Sequence, residues 1–173
     1  MATHVALLRG VNVGGLKVAM ADLREVARAL GWSGVATHFN SGNLLLTSSE
    51  DSATVGARLE AALADRYARE VPVMVRTPDE LASVLERLPF RGDAYDERHL
   101  HAAFLAGAPP ASTPPRVAGT DGEEGVVDGR EAFLHYPNGL GRSKLTTAAL
   151  ERALGVAVTL RGVRTVAGLL GRC

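Results

Sequence analysis

Residues 4–17 read His4-Val5-Ala6-Leu7-Leu8-Arg9-Gly10-Val11-Asn12-Val13-Gly14-Gly15-Leu16-Lys17, and the rest of the chain is organised around this stretch. The first part is a short, largely apolar run closed by glycine, which is typical of a buried β-strand. The rest is a turn with three glycines that carries cations and an amide but no acidic residue. Backbone N–H groups in a glycine-rich turn can converge on an anion, and neighbouring cations complete such a site. The stretch therefore predicts a strand followed by a binding loop.

Helix and strand patterns alternate in a regular order after this stretch. Apolar residues recur at helical spacing from Met20 to Leu30, and residues 35–47 have the pattern of a hairpin around an Asn-Ser-Gly turn. An amphipathic pattern over 51–69 predicts a second helix, and residues 71–75 predict a strand in which Pro72 favours an edge position. The order strand, helix, strand, strand, helix, strand is that of a ferredoxin-like, or split βαβ, unit.

The second half of the chain repeats this order with a weaker helical pattern. It contains predicted strands at 99–105, 126–127, 131–136 and 156–160 and predicted helices at about 146–154 and 165–170. Residues 106–125 hold four of the eight prolines and predict a loop rather than a helix. We therefore predict an α+β fold with two ferredoxin-like halves in tandem, at 1–76 and 98–173, joined by a connecting helix and loop at 77–97.

Composition excludes several classes of protein. Of the 173 residues, 46% are hydrophobic and 22% charged, which is typical of a soluble globular chain. The 19 basic residues balance the 19 acidic ones, so the whole chain has no general attraction for a polyanion. We see no targeting pattern and no run near the ~18 apolar residues of a membrane span. The single cysteine, Cys173, leaves no internal disulfide and no cysteine-based zinc site. We expect a cytoplasmic protein without membrane contact.

Two further segments share the chemistry of the first loop. Residues 138–146 carry two cations and two hydroxyls just before a predicted helix N-terminus, where the helix dipole favours an anion. The turn at 40–43 offers amides and a hydroxyl, although such residues are also what an ordinary turn needs. We predict that a small phosphate- or carboxylate-bearing ligand binds in a cleft between the three segments. The predicted ligand-binding residues are Arg9, Asn12, Gly14, Gly15, Lys17, Ser41, Asn43, Arg142, Ser143 and Lys144.

Known catalytic and cofactor motifs do not match the chain. Gly10 and Gly15 have the spacing of a P-loop, but Leu16 stands where that motif requires lysine, and the glycines do not fit a dinucleotide fingerprint. His99 and His101 share one strand face without a third ligand, so we predict no metal site and no cofactor. Because no nucleophile or general base stands out, the residues leave open whether the protein is an enzyme.

Three motifs in this order resemble the bacterial domain-of-unknown-function 1697 family. They are Leu8–Gly15, Ser41–Asn43 and Gly141–Thr146, and the similarity spans nearly the whole chain. The resemblance implies an α+β fold with ferredoxin-like halves and implies no activity. Two departures from the family pattern are Asn40 in place of glutamine and Thr159-Leu160-Arg161-Gly162-Val163 in place of Thr-x-Arg-Asn-Trp. If that aromatic residue closes over a ligand, this chain has lost the lid or altered its ligand.

Two alternatives to a small anionic ligand stay open. Ferredoxin-like sheets also bind single-stranded RNA or DNA by stacking bases on strand aromatics, but the strands at 4–9 and 43–47 contain none, so nucleic acid is less favoured. In the other alternative the protein is an interaction or assembly module in which Arg9 and Arg142 form structural ion pairs. The oligomeric state is not determined by these patterns.

Overall fold

The computed structural model describes every residue from Met1 to Cys173. The chain forms two units, one made of residues 1–81 with 169–173 and the other of residues 82–168. Each unit has its own antiparallel sheet, and five α-helices accompany the two sheets. The predicted α+β class is therefore confirmed. No helix is long and apolar enough to cross a membrane.

The first unit contains its strands and helices in the order predicted from the sequence. They are β1 (His4–Leu8), α1 (Met20–Ala29), β2 (Ser33–Thr37), β3 (Asn43–Thr47), α2 (Ser52–Tyr67) and β4 (Val73–Arg76). The strands lie in the order β2-β3-β1-β4, and every neighbouring pair is antiparallel. Because β1 lies inside the sheet, the loop that follows it leaves from a central strand. As the sequence predicted, Pro72 directly precedes an edge strand, where no sheet hydrogen bond is lost.

Helix ends in the first unit follow the capping chemistry of the sequence. The Asp51 carboxylate accepts a hydrogen bond from the backbone N–H of Thr54 at 2.8 Å and starts α2. The helix α3 (Pro78–Glu86) begins after Thr77, whose hydroxyl accepts from the N–H of Glu80 at 3.2 Å while the Glu80 carboxylate accepts from the N–H of Thr77 at 2.8 Å. This reciprocal pair is a capping box.

The core of the first unit lies between one face of its sheet and the helices α1 and α2. Alternate residues of the strands, including Ala6, Leu8, Leu44 and Leu46, pack with apolar helix residues of which Leu59 is fully buried. Alternation with period two on the strands is what places these residues on one face. Leu8 is the last residue of β1, so the packed core extends to the point where the loop begins.

The second unit departs from the predicted repetition of the first. It consists of β5 (Leu100–Leu105), β6 (Arg116–Ala118), β7 (Glu124–Asp128), β8 (Glu131–His135), α4 (Thr147–Leu154), β9 (Val158–Gly162) and α5 (Val163–Leu170), whose last residues belong to the first unit. The sheet order is β6-β7-β8-β5-β9. Between β5 and β7 there is the edge strand β6 instead of an α-helix. Pro109, Pro110, Pro114 and Pro115 explain this, because proline lacks the N–H that a helix interior requires.

Candidate functional site

Asn12 holds the loop between β1 and α1 in shape. Its side-chain amide donates to the carbonyl of Val18 at 2.9 Å, and its Oδ1 accepts from the N–H of Val18 at 2.9 Å. The backbone N–H of Asn12 also donates to the carbonyl of Leu16 at 2.9 Å. These bonds close residues 12–18 into a ring, with Asn12 in the left-handed conformation at φ 59°. Asparagine is one of the few residues other than glycine that adopt this conformation readily. The predicted ligand residue Asn12 thus shapes the loop.

The first loop and the turn at 40–43 lie together. The Asn12 amide donates its second hydrogen to the carbonyl of Asn40 at 2.7 Å, and the N–H of Leu8 donates to the carbonyl of Gly42 at 2.8 Å. A Cβ on Gly42 would lie 2.6 Å from Cγ2 of Val11, so this close approach requires glycine. Two of the three predicted segments therefore form one surface of the first unit.

Ser41 and Asn43 form hydrogen bonds within the turn itself. Asn43 is fully buried, and its amide donates to the carbonyl of His38 at 2.8 Å and to Oγ of Ser41 at 2.9 Å. The N–H of His38 returns a bond to the carbonyl of Asn43 at 3.0 Å. The buried amide therefore fixes the turn. The two predicted ligand residues of this turn, Ser41 and Asn43, therefore stabilise its shape.

The tip of the first loop presents donors to solvent. Val13, Gly14 and Gly15 are exposed, and their three successive backbone N–H groups donate to no acceptor in the protein. Lys17 is exposed as well, and its ammonium group has no hydrogen-bond or ion-pair partner. Gly14 has φ +70°, a conformation that suits glycine. Successive free N–H groups at a turn are the arrangement that accepts an anion.

Arg69 is a cation beside this loop that the sequence analysis missed. Its Nη1 lies 4.0 Å from the position that a Cβ on Gly15 would occupy, and the exposed guanidinium has no ion-pair partner. Arg69 follows α2, and the connection to β4 meets the end of β1, where the N–H of Arg9 donates to the carbonyl of Pro72 at 2.9 Å. The signal was topological, since a split βαβ unit brings the end of strand one beside the start of strand four.

The third predicted segment belongs to the second unit, where its hydroxyls are used by the fold. Ser143 donates from Oγ to the carboxylate of Glu123 at 2.5 Å and accepts from the N–H of Leu145 at 2.9 Å. Glu123 is only 5% exposed, and the Ser143 hydroxyl, with the N–H of Asp121, holds the pKa of this carboxyl below its ordinary value. Thr146 caps α4 by accepting from the N–H of Ala149 at 3.2 Å. Glu123 anchors this segment and belongs to none of the sequence motifs.

The charged side chains of the three segments lie in different environments. Arg142 and Lys144 are exposed and have no side-chain partner, so the second unit presents two unpaired cations. Arg9 is half-buried and interacts with another group of the protein. Arg161, in the segment that departs from the family pattern, is 7% exposed, and burial lowers the pKa of its guanidinium to about 10. Its Nη1 donates to Oγ1 of Thr159 and to the carbonyl of Leu160, both at 2.8 Å.

Two surface cavities of the first unit lie away from the loop. One of about 410 Å³ lies between α2 and the start of β4 and is lined by Ala57, Glu60, Ala61, Ala64, Glu70, Val71 and Pro72. Another of about 420 Å³ lies beside Trp32 and Glu50. Neither cavity is lined by a predicted ligand residue. No group of three or more His, Cys, Asp or Glu side chains is placed to hold a metal ion.

Comparisons with known proteins agree with the fold and with the two motifs that lie within residues 1–133. A conserved bacterial protein, SP0830 from Streptococcus pneumoniae, has a similar solved structure, with a TM-score of 0.66 over 99% of this chain and 98% of that chain. At 22% sequence identity this similarity shows the fold. No curated protein matches the chain. Residues 1–133 match the model of the family described as "Protein of unknown function (DUF1697)". The chain therefore belongs to the DUF1697 family.

Proposed function

We propose that the loop at residues 9–17 of the first unit binds a small anionic group, a phosphate or a carboxylate. One observation carries the proposal: the unused N–H groups of Val13, Gly14 and Gly15 lie in a loop beside the unpaired cations Lys17 and Arg69. Hydrogen bonds from N–H groups to an ionised acceptor are about twice as strong as those to a neutral one. The loop contains no acidic residue that would compete for these donors.

The open position of the loop sets the affinity that we expect. Exposed charges interact in a high dielectric, so each contact is worth less here than in a closed cavity. We expect inorganic phosphate to bind with a Kd of about 0.1–1 mM, which corresponds to about 4–5.5 kcal/mol. A ligand with additional groups in contact with the surface binds more tightly. The proposal is one of binding, and it assigns no reaction.

The hydrogen bonds of the loop assign different roles to the predicted residues. Lys17 and the glycines contact the anion, together with Arg69. Asn12 positions the loop, while Ser41 and Asn43 position the turn that Asn12 holds. The rigid framework matters because a preorganised loop loses little entropy when the anion binds. Changes at the positioning residues therefore weaken binding through the shape of the loop.

The chain's two lysines provide a matched experiment. Lys17 and Lys144 are the only lysines, and they lie in the two loops for which an anion is a candidate. Phosphate titrations by isothermal calorimetry compare the parent with K17Q, K144Q and R28Q, the last removing an exposed, unpaired cation of α1. We expect K17Q to weaken phosphate binding about fivefold or more, with K144Q and R28Q unchanged.

Other outcomes of the titration contradict the proposal. Loss of phosphate binding in K144Q alone would show that the anion site lies in the second unit. Equal small losses in all three variants would indicate general charge attraction without a site. A short RNA that binds with steep salt dependence while phosphate does not bind would favour the nucleic-acid alternative, because release of counterions dominates such binding.

A further inference from the structure

Two exposed apolar side chains flank the hydrogen bond that joins the loop to the turn. Val13 is 74% exposed and Phe39 is 66% exposed, and apart from Met1 they are the exposed large hydrophobic residues of the chain. Val13 follows Asn12 and Phe39 precedes Asn40, and the side chain of Asn12 donates to the carbonyl of Asn40 at 2.7 Å. The apolar exposure of this protein is therefore concentrated beside the proposed anion site.

Phe39 is held at the surface in a conformation that phenylalanine rarely adopts. Its φ is +55°, in the left-handed region that bulky residues disfavour. Its ring lies against that of His38, with ring centroids 4.1 Å apart and the planes inclined by 43°. A turn alone would be better served here by glycine or asparagine. Neither burial nor backbone preference accounts for an aromatic residue at this position.

The backbone next to Phe39 and the backbone next to Lys17 are brought together by Asn12. Its amide bonds at once to the carbonyls of Val18 and Asn40, so the backbone at these two residues converges on one nitrogen atom. Lys17 and Phe39 are the residues immediately before them in the chain. The residues that carry a cation and an exposed ring are therefore chain neighbours of the two carbonyls that the Asn12 amide joins, and the free N–H groups of residues 13–15 belong to the same loop.

We propose that the natural ligand is a nucleoside phosphate, whose base stacks on Phe39 while its phosphate is held by the N–H groups of residues 13–15 and Lys17. The inference rests on the proposed function and adds the second part of the ligand. Any base can stack on an aromatic face, so Phe39 would favour a ligand with a planar ring without distinguishing one base from another. This surface also supplies, from a turn, the aromatic residue that the strands of the unit lack.

Phe39→Gly separates stacking from folding. Glycine accepts a φ of +55° without strain, so this variant should be at least as stable as the parent protein in thermal unfolding. We expect its affinity for AMP to fall about tenfold, which is within the range measured when stacking aromatics are removed. Its affinity for ribose 5-phosphate should stay the same, because that probe carries the anion without the base. Phe39→Trp should retain the affinity for AMP.

The probes distinguish failure of this inference from failure of the proposed function. If ribose 5-phosphate binds as tightly as AMP and F39G leaves AMP binding unchanged, the base has no role, the inference is overturned and the anion site stands. If adenosine binds as tightly as AMP, the phosphate contributes nothing and both proposals fail. Absence of binding by AMP and ribose 5-phosphate also overturns both.

A 5′-phosphorylated hexa-adenylate distinguishes the two sources of a nucleoside phosphate. Competition with AMP at equal affinity would identify a free nucleotide or a strand end as the ligand. Much tighter binding of the hexa-adenylate, with steep salt dependence, would identify a continuous strand. Either result supports the assignment of Phe39 if F39G weakens it. Binding of the hexa-adenylate that F39G leaves unchanged would contradict the assignment.

Discussion

Replacing Asn12 by alanine removes the clamp of the first loop. Three side-chain hydrogen bonds are lost, two to the backbone of Val18 and one to the carbonyl of Asn40. Together they contribute about 2 kcal/mol, because the contact to Asn40 is exposed to water and counts for less. Alanine at a φ of 59° costs about 1 kcal/mol more. We expect N12A to lower the free energy of unfolding by about 3 kcal/mol.

Chemical denaturation of the purified chain measures this loss, and two substitutions divide it into its parts. N12G relieves the left-handed backbone and should lose only about 2 kcal/mol. N12D keeps an oxygen that accepts from the N–H of Val18, but its second oxygen faces the carbonyls of Val18 and Asn40, and this contact between acceptors should make it less stable than N12G. Hydrogen exchange gives a local readout, because the amide of Val18 loses its acceptor in N12A and should exchange at least tenfold faster.

A free energy of unfolding of N12A within 0.5 kcal/mol of the parent protein would contradict this role of Asn12. The same conclusion would follow if the exchange of the Val18 amide were unchanged. In that case the loop would be held by the backbone bond between Asn12 and Leu16 alone. The role assigned to Asn12 as a positioning residue for the anion site would then be wrong as well.

Three further predictions concern the second unit. The pKa of Glu123 is held below its ordinary value of 4.5, so its stabilising contribution is present above pH 4.5 and is lost as the pH falls. The free energy of unfolding of E123Q should therefore fall less steeply below pH 4.5 than that of the parent protein. Parallel curves for the two proteins would contradict this. Burial lowers the pKa of His101 from 6.5, so protonation below pH 6.5 favours the unfolded chain. The free energy of unfolding of H101F should therefore fall less than that of the parent protein between pH 7 and 5. An equal fall would show that His101 does not contribute to the loss of stability in acid. Thr146→Ala should cost about 1 kcal/mol through the cap of α4, whereas Thr146→Ser should cost little, and equal stabilities of both variants would contradict the cap.

The sequence predicted those parts of the fold that depend on local patterns. The helices α1 and α2 and the hairpin, which was predicted at 35–47 and lies at 33–47, each follow from residues a few positions apart. The edge strand β6 was missed because it has three residues and its pairing with β7 is not encoded within its own short segment. Local periodicity thus sufficed for the long elements and failed for the shortest.

The candidate site was predicted less completely, because its roles depend on contacts that are distant in the sequence. The motifs identified the loop at 9–17 and the turn at 40–43, and these segments are joined in the structure. Residue type alone did not show that the Asn12 amide donates to the carbonyls of Val18 and Asn40. Arg69 and the exposed ring of Phe39 were missed because neither belongs to a glycine-rich motif. A side chain's role depends on what its polar atoms already bind.

A titration of ¹⁵N-labelled protein with inorganic phosphate, followed amide by amide by NMR, tests the anion site most directly. We expect the amide signals of Val13, Gly14 and Gly15 to shift together and to saturate with one Kd, and we expect K17Q to raise that Kd. The amides of α1, such as that of Arg28, should stay in place. Shifts that grow linearly without saturation, or that appear only at 138–146, would contradict an anion site in the first unit.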